Sequence, residues 1–335
     1  MREKDKTILF LQALVAILVV LRHSYYLPII NENDLFFPFH QWVFTFNMPL
    51  CFLISGFLLQ LTKGKNDTLI TFSPFNFSFL RRKVFRLLMP YWLLSTIAFI
   101  PKALLPNNLS LRPLNFNISD YLYSQFMPMS NAIGPYWFIP TLFGVFVLAA
   151  LLWKPLKSKF FLLIFPISIF LSIECGNYNN SFLCWKDVLF YFPFFLLGML
   201  IAKYNILNSI KNNKTMALLS LAVSILIYRS EPFYGQKFLN ALPGITFTIA
   251  IAKLYNQYEL RLFDCLEGTT FSIYLLHWFI QIPLVKTMTY LGLEWYIQVP
   301  IATTFGIIIP ILIHKHTKFN RIYKLDTLLN TSQQK

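Results

Sequence analysis

The sequence predicts an all-α polytopic membrane protein of about ten transmembrane helices with both termini cytoplasmic. Three observations carry that prediction. Of 335 residues, 56% are apolar and only 13% are charged, against roughly 25% charged in an ordinary soluble domain. Mean hydropathy is +0.55. The apolar residues gather into runs of about membrane length, and the loops between the runs alternate in charge. A soluble protein of this size needs far more charge to cover its surface.

A membrane helix needs about 20 mostly apolar residues. Ten runs qualify: 8–29, 40–62, 84–105, 134–153, 159–174, 187–203, 215–230, 238–255, 269–291 and 295–314. The fifth, sixth and seventh are short, so their ends are the least defined. The N-terminal run is too long for a signal peptide and lacks a small-residue cleavage site, so it reads as a retained helix. The longest connection, 106–133, is rich in Asn, Ser and Pro and reads as a segment on the membrane surface. No soluble domain, internal repeat or low-complexity segment interrupts the runs, so residues 1–335 read as one transmembrane domain.

The net charge of +15 would suggest nucleic acid in a soluble protein. Here the cations lie between apolar runs, which points to topology and membrane lipids, with no nucleic-acid partner. Arg2, Lys4 and Lys6 precede the first run, and Lys63, Lys65, Arg81, Arg82, Lys83 and Arg86 precede or open the third. Lys154, Lys157 and Lys159 follow the fourth, and Lys203, Lys211 and Lys214 follow the sixth. Lys253 and Arg261 precede the ninth, and Lys315, Lys318, Arg321 and Lys324 follow the tenth. Much of the acid falls in the other loops: Glu32, Asp34, Asp120, Glu174, Asp187, Glu231 and Glu294. Every second loop is basic, as ten helices with both ends inside require.

Cys51, Cys175, Cys184 and Cys265 show no metal-ligand spacing and no CxxC, and no metal site is expected. A disulfide between Cys175 and Cys184 would need their short loop to face an oxidising compartment.

Polar residues inside the spans are the functional candidates, because each one costs free energy in hydrocarbon. Gln12 and His23 are eleven residues apart in the first run. That is close to three helical turns, so they share a face about 16 Å apart along the axis. One reading has this face lining a path through the bundle, with His23 toward the outer half. The other has His23 near a helix end, reaching for the interface with Arg22. In the second run, Pro49 and the Ser55-Gly56 pair are kink or close-packing elements. Lys83 and Arg86, with Arg82 beside them, form a cationic cluster at a cytoplasmic mouth. Such a cluster suits the phosphates of a nucleotide-containing donor, or equally topology and anionic lipid. Trp137 opens the fourth run as an aromatic-belt residue. Tyr274 and His277 are three apart on one face of the ninth. His314 and His316 read as solvated tail residues, and His40 has no evident partner. No GxSxG, Walker A, Rossmann fingerprint or HExxH occurs.

In this order, Leu11–His23, Met48–Leu58, Arg81–Trp92, Trp137–Leu142, Tyr191–Gly198 and Ser272–His277 resemble the acyltransferase-3 family of bacterial membrane O-acyltransferases. The resemblance covers nearly the whole chain. It implies transfer of an acyl group, usually acetyl, from cytoplasmic acyl-CoA to a hydroxyl of a surface or lipid-linked glycan in the bacterial inner membrane. It implies His23 as general base, taking the hydroxyl proton during attack on the thioester, or as an acyl-histidine nucleophile. It implies Lys83 and Arg86 as phosphate contacts of the co-substrate acyl-CoA. Family members carry Arg-X10-His in the first helix and Arg-x-x-Arg at the third. This chain has Gln12 for the first arginine, and Lys83-Val-Phe-Arg86 keeps charge at both ends of the second motif. Glutamine can hydrogen-bond a carbonyl or a pantetheine amide but brings no charge. Arg22 cannot replace it, since ten helical residues put it about 15 Å further along the axis. Trp137, Tyr274, His277 and Ser55 are further site candidates. The alternative from another class is an exporter or flippase of a lipid-linked polysaccharide, using the same polar path as a conduit.

Overall fold

The computed structural model describes residues 6–25, 31–63, 77–104, 113–176, 180–209, 213–258, 260–261, 263–317 and 319. Arg2, Lys4, Lys65, Lys211, Lys318, Arg321 and Lys324, and the ends of the first and third predicted spans, lie outside them. The described residues form helices in the order α1 (Lys6–Ser24), α2 (Phe36–Lys63), α3 (Phe77–Lys83), a π turn (Val84–Leu88), α4 (Met89–Leu104) and α5 (Ile118–Phe126). Short 3₁₀ turns at Pro128–Ser130 and Gly134–Trp137 lead into α6 (Phe138–Leu151), α7 (Trp153–Lys157) and α8 (Phe161–Cys175). Then come α9 (Trp185–Lys203), α10 (Ile206–Ser209), α11 (Asn213–Arg229), α12 (Gln236–Gln257), α13 (Thr270–Tyr290) and α14 (Trp295–His316). Among the described residues there is no β-strand.

Each of the ten predicted runs coincides with a helical segment. Seven segments are long and apolar enough to cross a membrane: Lys6–Ser24, Phe36–Thr62, Ser78–Leu104, Gly134–Leu151, Phe182–Lys203, Gln236–Gln257 and Trp295–His316. α8 has 15 residues and α11 has 17, short of that length, and α13, with 21 residues, is not among the seven. The chain is an all-helical membrane protein.

Several boundaries move, each for a local reason. α2 begins at Phe36, one turn before the predicted start. The third span begins on α3 and carries the π turn, in which the Met89 backbone N–H donates to the Val84 carbonyl five residues back. Pro90 follows at once. In regular α winding its ring would strike the Arg86 carbonyl, and it donates no hydrogen bond. The wider turn accommodates it. The 106–133 connection is more structured than a plain surface segment. Its residues 106–112 lie outside the described set, but α5 follows, capped by the Asn117 side chain accepting from the Asp120 backbone N–H.

The chain divides into two compact units. One comprises residues 1–61 and 194–317, and the other comprises residues 62–193 and 318–335. In the first unit, small residues let helices meet backbone to backbone. A Cβ on Gly56 of α2 would collide with the Phe195 carbonyl of α9, and one on Gly198 of α9 would collide with the Leu53 carbonyl of α2. Lipid gives no hydrophobic drive between helices, so such close approach is what dispersion needs. The same unit buries Ala13, Val20, Leu266 and Ile273 together, with Ile307 and Ile311 of α14 against them. α1, α13 and α14 thereby share one apolar seam. Gly306 of α14 keeps it tight, since a Cβ there would come within 2.9 Å of Val20 and 3.0 Å of Gln281.

In the second unit, Tyr91 and Asn131 knit α4 to the segment after α5. The Tyr91 hydroxyl donates to the Gln125 carbonyl at 2.7 Å and accepts from Asn131 Nδ2 at 3.2 Å. Asn131 Oδ1 accepts from Ser95 Oγ and the Ile133 N–H. Side chains thus pair several buried polar atoms where the backbone is irregular. No disulfide joins Cys175 to Cys184.

Candidate functional site

His23 lies in the last turn of α1. Its ring sits 5.5 Å from that of His277 on α13, centroid to centroid, with the planes 33° apart. The Trp278 indole meets it edge-on at 5.3 Å. Arg22, one residue earlier, goes elsewhere: its guanidinium lies 3.4 Å over the Phe44 ring of α2. The two neighbours on α1 therefore serve different surroundings.

His277 is fully buried. Its Nδ1 lies 2.7 Å from the Tyr274 carbonyl and 3.1 Å from that of Ile273. Carbonyl oxygens only accept, so Nδ1 carries the proton. Nε2, at the outer end of the ring, is left as an acceptor, and it is buried with no hydrogen-bond partner. Tyr274 packs 5.9 Å from His277 and stacks on Phe271 at 6.4 Å.

Next to this pair is a polar clamp that the sequence patterns did not single out. Gln281 is one turn beyond His277 on α13 and is fully buried. Its Nε2 donates to the Val20 carbonyl at 2.8 Å and to Ser24 Oγ at 2.6 Å. Ser24 Oγ also reaches the Val20 carbonyl at 2.9 Å and Thr303 Oγ1 of α14 at 2.8 Å. Three helices are thus tied at the residue that follows His23. The signal was present: Gln281 is a polar residue in the ninth predicted run, four after a histidine.

Two histidine expectations change. His40 has partners after all: its Nε2 donates to the Arg22 carbonyl at 3.2 Å, and its ring meets Tyr25 at 5.2 Å. Aromatic neighbours leave no period-based trace, so the sequence hid them. His314 is not a solvated tail residue. α14 runs through His316, and His314 Nδ1 lies 2.7 Å from Ser272 Oγ of α13. His316 is exposed.

The other candidates are placed as follows. Gln12 is half-buried on α1. Ser55 Oγ donates to the Cys51 carbonyl one turn back at 2.9 Å. This bond is local to α2. In the second unit, Lys83 lies with its ammonium 3.5 Å over the Phe146 ring of α6, while Arg86 is exposed and Arg82 half-buried. The π turn between Lys83 and Arg86 widens the winding, so their three-residue spacing no longer gives a shared face as in a regular helix. Trp137 is buried and stacks on Tyr191 at 5.8 Å and 27°. Among the described residues, no three His, Cys, Asp or Glu side chains converge as metal ligands.

Apolar helices of membrane length, with two imidazoles meeting where α1 faces α13, define a polytopic membrane protein with a buried polar centre. The family model described as an acyltransferase domain, acyltransferase-3, matches residues 6–315. The chain belongs to the acyltransferase-3 family, and it is an acyltransferase. No curated protein and no solved structure matches it.

Proposed function

We propose that this acyltransferase moves an acyl group, acetyl in the first instance, from cytoplasmic acyl-CoA to a hydroxyl of a cell-surface or lipid-linked glycan. The observation that carries the reading is His23: an ionisable ring inside a membrane helix, turned onto His277 and Trp278, in a chain matched by the acyltransferase model over 6–315. In this reading His23 is the general base. The hydroxyl oxygen attacks the thioester carbonyl, the C–O bond forms and the C–S bond breaks. His23 takes the hydroxyl proton and delivers it to the departing CoA sulfur. Gln12, on the same face of α1, donates a hydrogen bond to a carbonyl along the donor's path.

Arg82, Lys83 and Arg86 are assigned to the CoA phosphates. Charge-assisted contacts to phosphate suit these side chains, and exposed Arg86 is available to an anion. Trp137, Tyr274, His277 and Ser55 remain site candidates. Residues 1–335 act as one transmembrane domain of ten spans, both termini cytoplasmic, in a bacterial inner membrane. The alternating loop charge supports that topology.

Membrane vesicles containing the protein, supplied with acetyl-CoA radiolabelled in its acetyl group, test the reaction. Label appearing on glycan supports it. Glycan crossing the membrane with all label left on CoA would instead support the exporter. Binding tests the cation assignment. Lys83→Glu with Arg86→Glu should weaken acetyl-CoA binding to purified protein by roughly tenfold or more, because it removes two charge-assisted hydrogen bonds to phosphate. Unchanged binding would return the cluster to topology and lipid contact.

A further inference from the structure

We infer that His277 is a positioning residue for His23: its Nε2 accepts the N–H of His23 and so leaves the other ring nitrogen of His23 bare to act as base. The inference rests on the reading of His23 as general base and adds what sets its tautomer.

The α13 backbone sets the tautomer of His277. The Ile273 and Tyr274 carbonyls both face Nδ1 of His277, which fixes the proton there. A neutral imidazole has one donor and one acceptor, so Nε2 is an acceptor. It is buried without a partner. An unpaired buried acceptor costs about 1–3 kcal/mol, so a donor within reach is favoured. His23 is that donor. The His23 and His277 rings are neighbours, with centroids 5.5 Å apart and planes tilted by 33°. Rings in contact at that spacing come within hydrogen-bonding reach when the His23 ring rotates to aim a nitrogen at Nε2.

The clamp fixes the partner's place. Gln281 and Thr303 hold Ser24, and with it the last turn of α1. Trp278 meets the His23 ring edge-on at 5.3 Å. His23 can swivel within this frame but has little room to translate. Once the N–H of His23 is committed to His277, only the second nitrogen is free for a substrate proton. An orienting acceptor behind a catalytic imidazole sets which nitrogen is basic and stabilises the imidazolium as it forms.

The test uses purified full-length protein and two substitutions. Glutamine reaches as far as Nε2 and can present an acceptor there, whereas leucine cannot. His277→Leu should lower acyl transfer tenfold or more, and His277→Gln should restore most of it. Side-chain nitrogen NMR of histidine-labelled protein supplies a readout that a packing role would not move. Wild type and His277→Gln should each show His23 in a single neutral tautomer, and His277→Leu should show it in both. An unchanged His23 tautomer in folded His277→Leu would overturn the inference. If His277→Leu does not fold, the wild-type spectrum decides: His23 distributed over both tautomers, or His277 protonated on Nε2, would overturn it. Full activity in His23→Ala would instead overturn the general-base reading, so the two failures are distinguishable.

Discussion

At the residue scale, the proposed chemistry rests on polar side chains that an apolar helix has no reason to carry. Gln12 is the sharpest case, because it replaces the arginine of the family pattern. If its amide contacts a carbonyl in the reaction, Gln12→Leu should lower turnover roughly tenfold, the size of one missing hydrogen bond of about 1.4 kcal/mol. Gln12→Arg should equal or exceed wild type. Initial rates of acetyl transfer at saturating donor check both, and a Gln12→Leu rate equal to wild type would remove Gln12 from the site. Gln281→Leu tests the clamp. It leaves Ser24 and the Val20 carbonyl short of a donor, so thermal unfolding in detergent should show a loss of about 1–3 kcal/mol. His23 was legible in the sequence, since an ionisable residue stands out in an apolar run. Its contact with His277 was not, because the two are joined by helix packing and not by spacing. The Ser272–His314 bond escaped for a related reason: a histidine followed by Lys315 reads as tail until α14 is seen to run through it.

At the element scale, hydropathy found the helices and missed their joints. All ten runs fall on helical segments, but the π turn at Val84–Leu88 has no hydropathy signature. Its cause, Pro90, was visible, though a proline inside a run predicts only some disturbance. The turn alters the cationic motif most, because Lys83 goes to Phe146 while Arg86 is exposed. The Gly56 packing role was readable from the small-residue rule. Its counterpart Gly198 was seen only as part of a family segment. Gly198→Ala should destabilise the α2–α9 contact by about 1–3 kcal/mol through overpacking, seen as a lower melting temperature in detergent. Gly176→Ala is the contrasting control. Nothing lies within 4 Å of the new Cβ, but the backbone φ of +60° favours glycine, so a smaller cost from backbone strain alone is expected.

At the scale of the whole molecule, the proposed reaction couples topology to activity, because a cytoplasmic donor would have to be used on the correct side. The positive-inside rule predicts cytoplasmic ends. A reporter that is active only in the cytoplasm should work when fused before residue 1 and after residue 335. A reporter active only outside should work when inserted beside Glu231. An inactive C-terminal cytoplasmic fusion would contradict the ten-span count. Composition made the membrane class legible at once, whereas the division into two compact units depends on long-range packing that no local pattern encodes. The central claim is that His23 makes this chain a glycan acyltransferase. Mass spectrometry of surface-glycan acylation in cells carrying the wild-type gene, a deletion or His23→Ala tests it most directly. Acyl groups are expected in the wild type only, with glycan export intact in all three. Equal acylation in all three, with export abolished in the deletion, would contradict it.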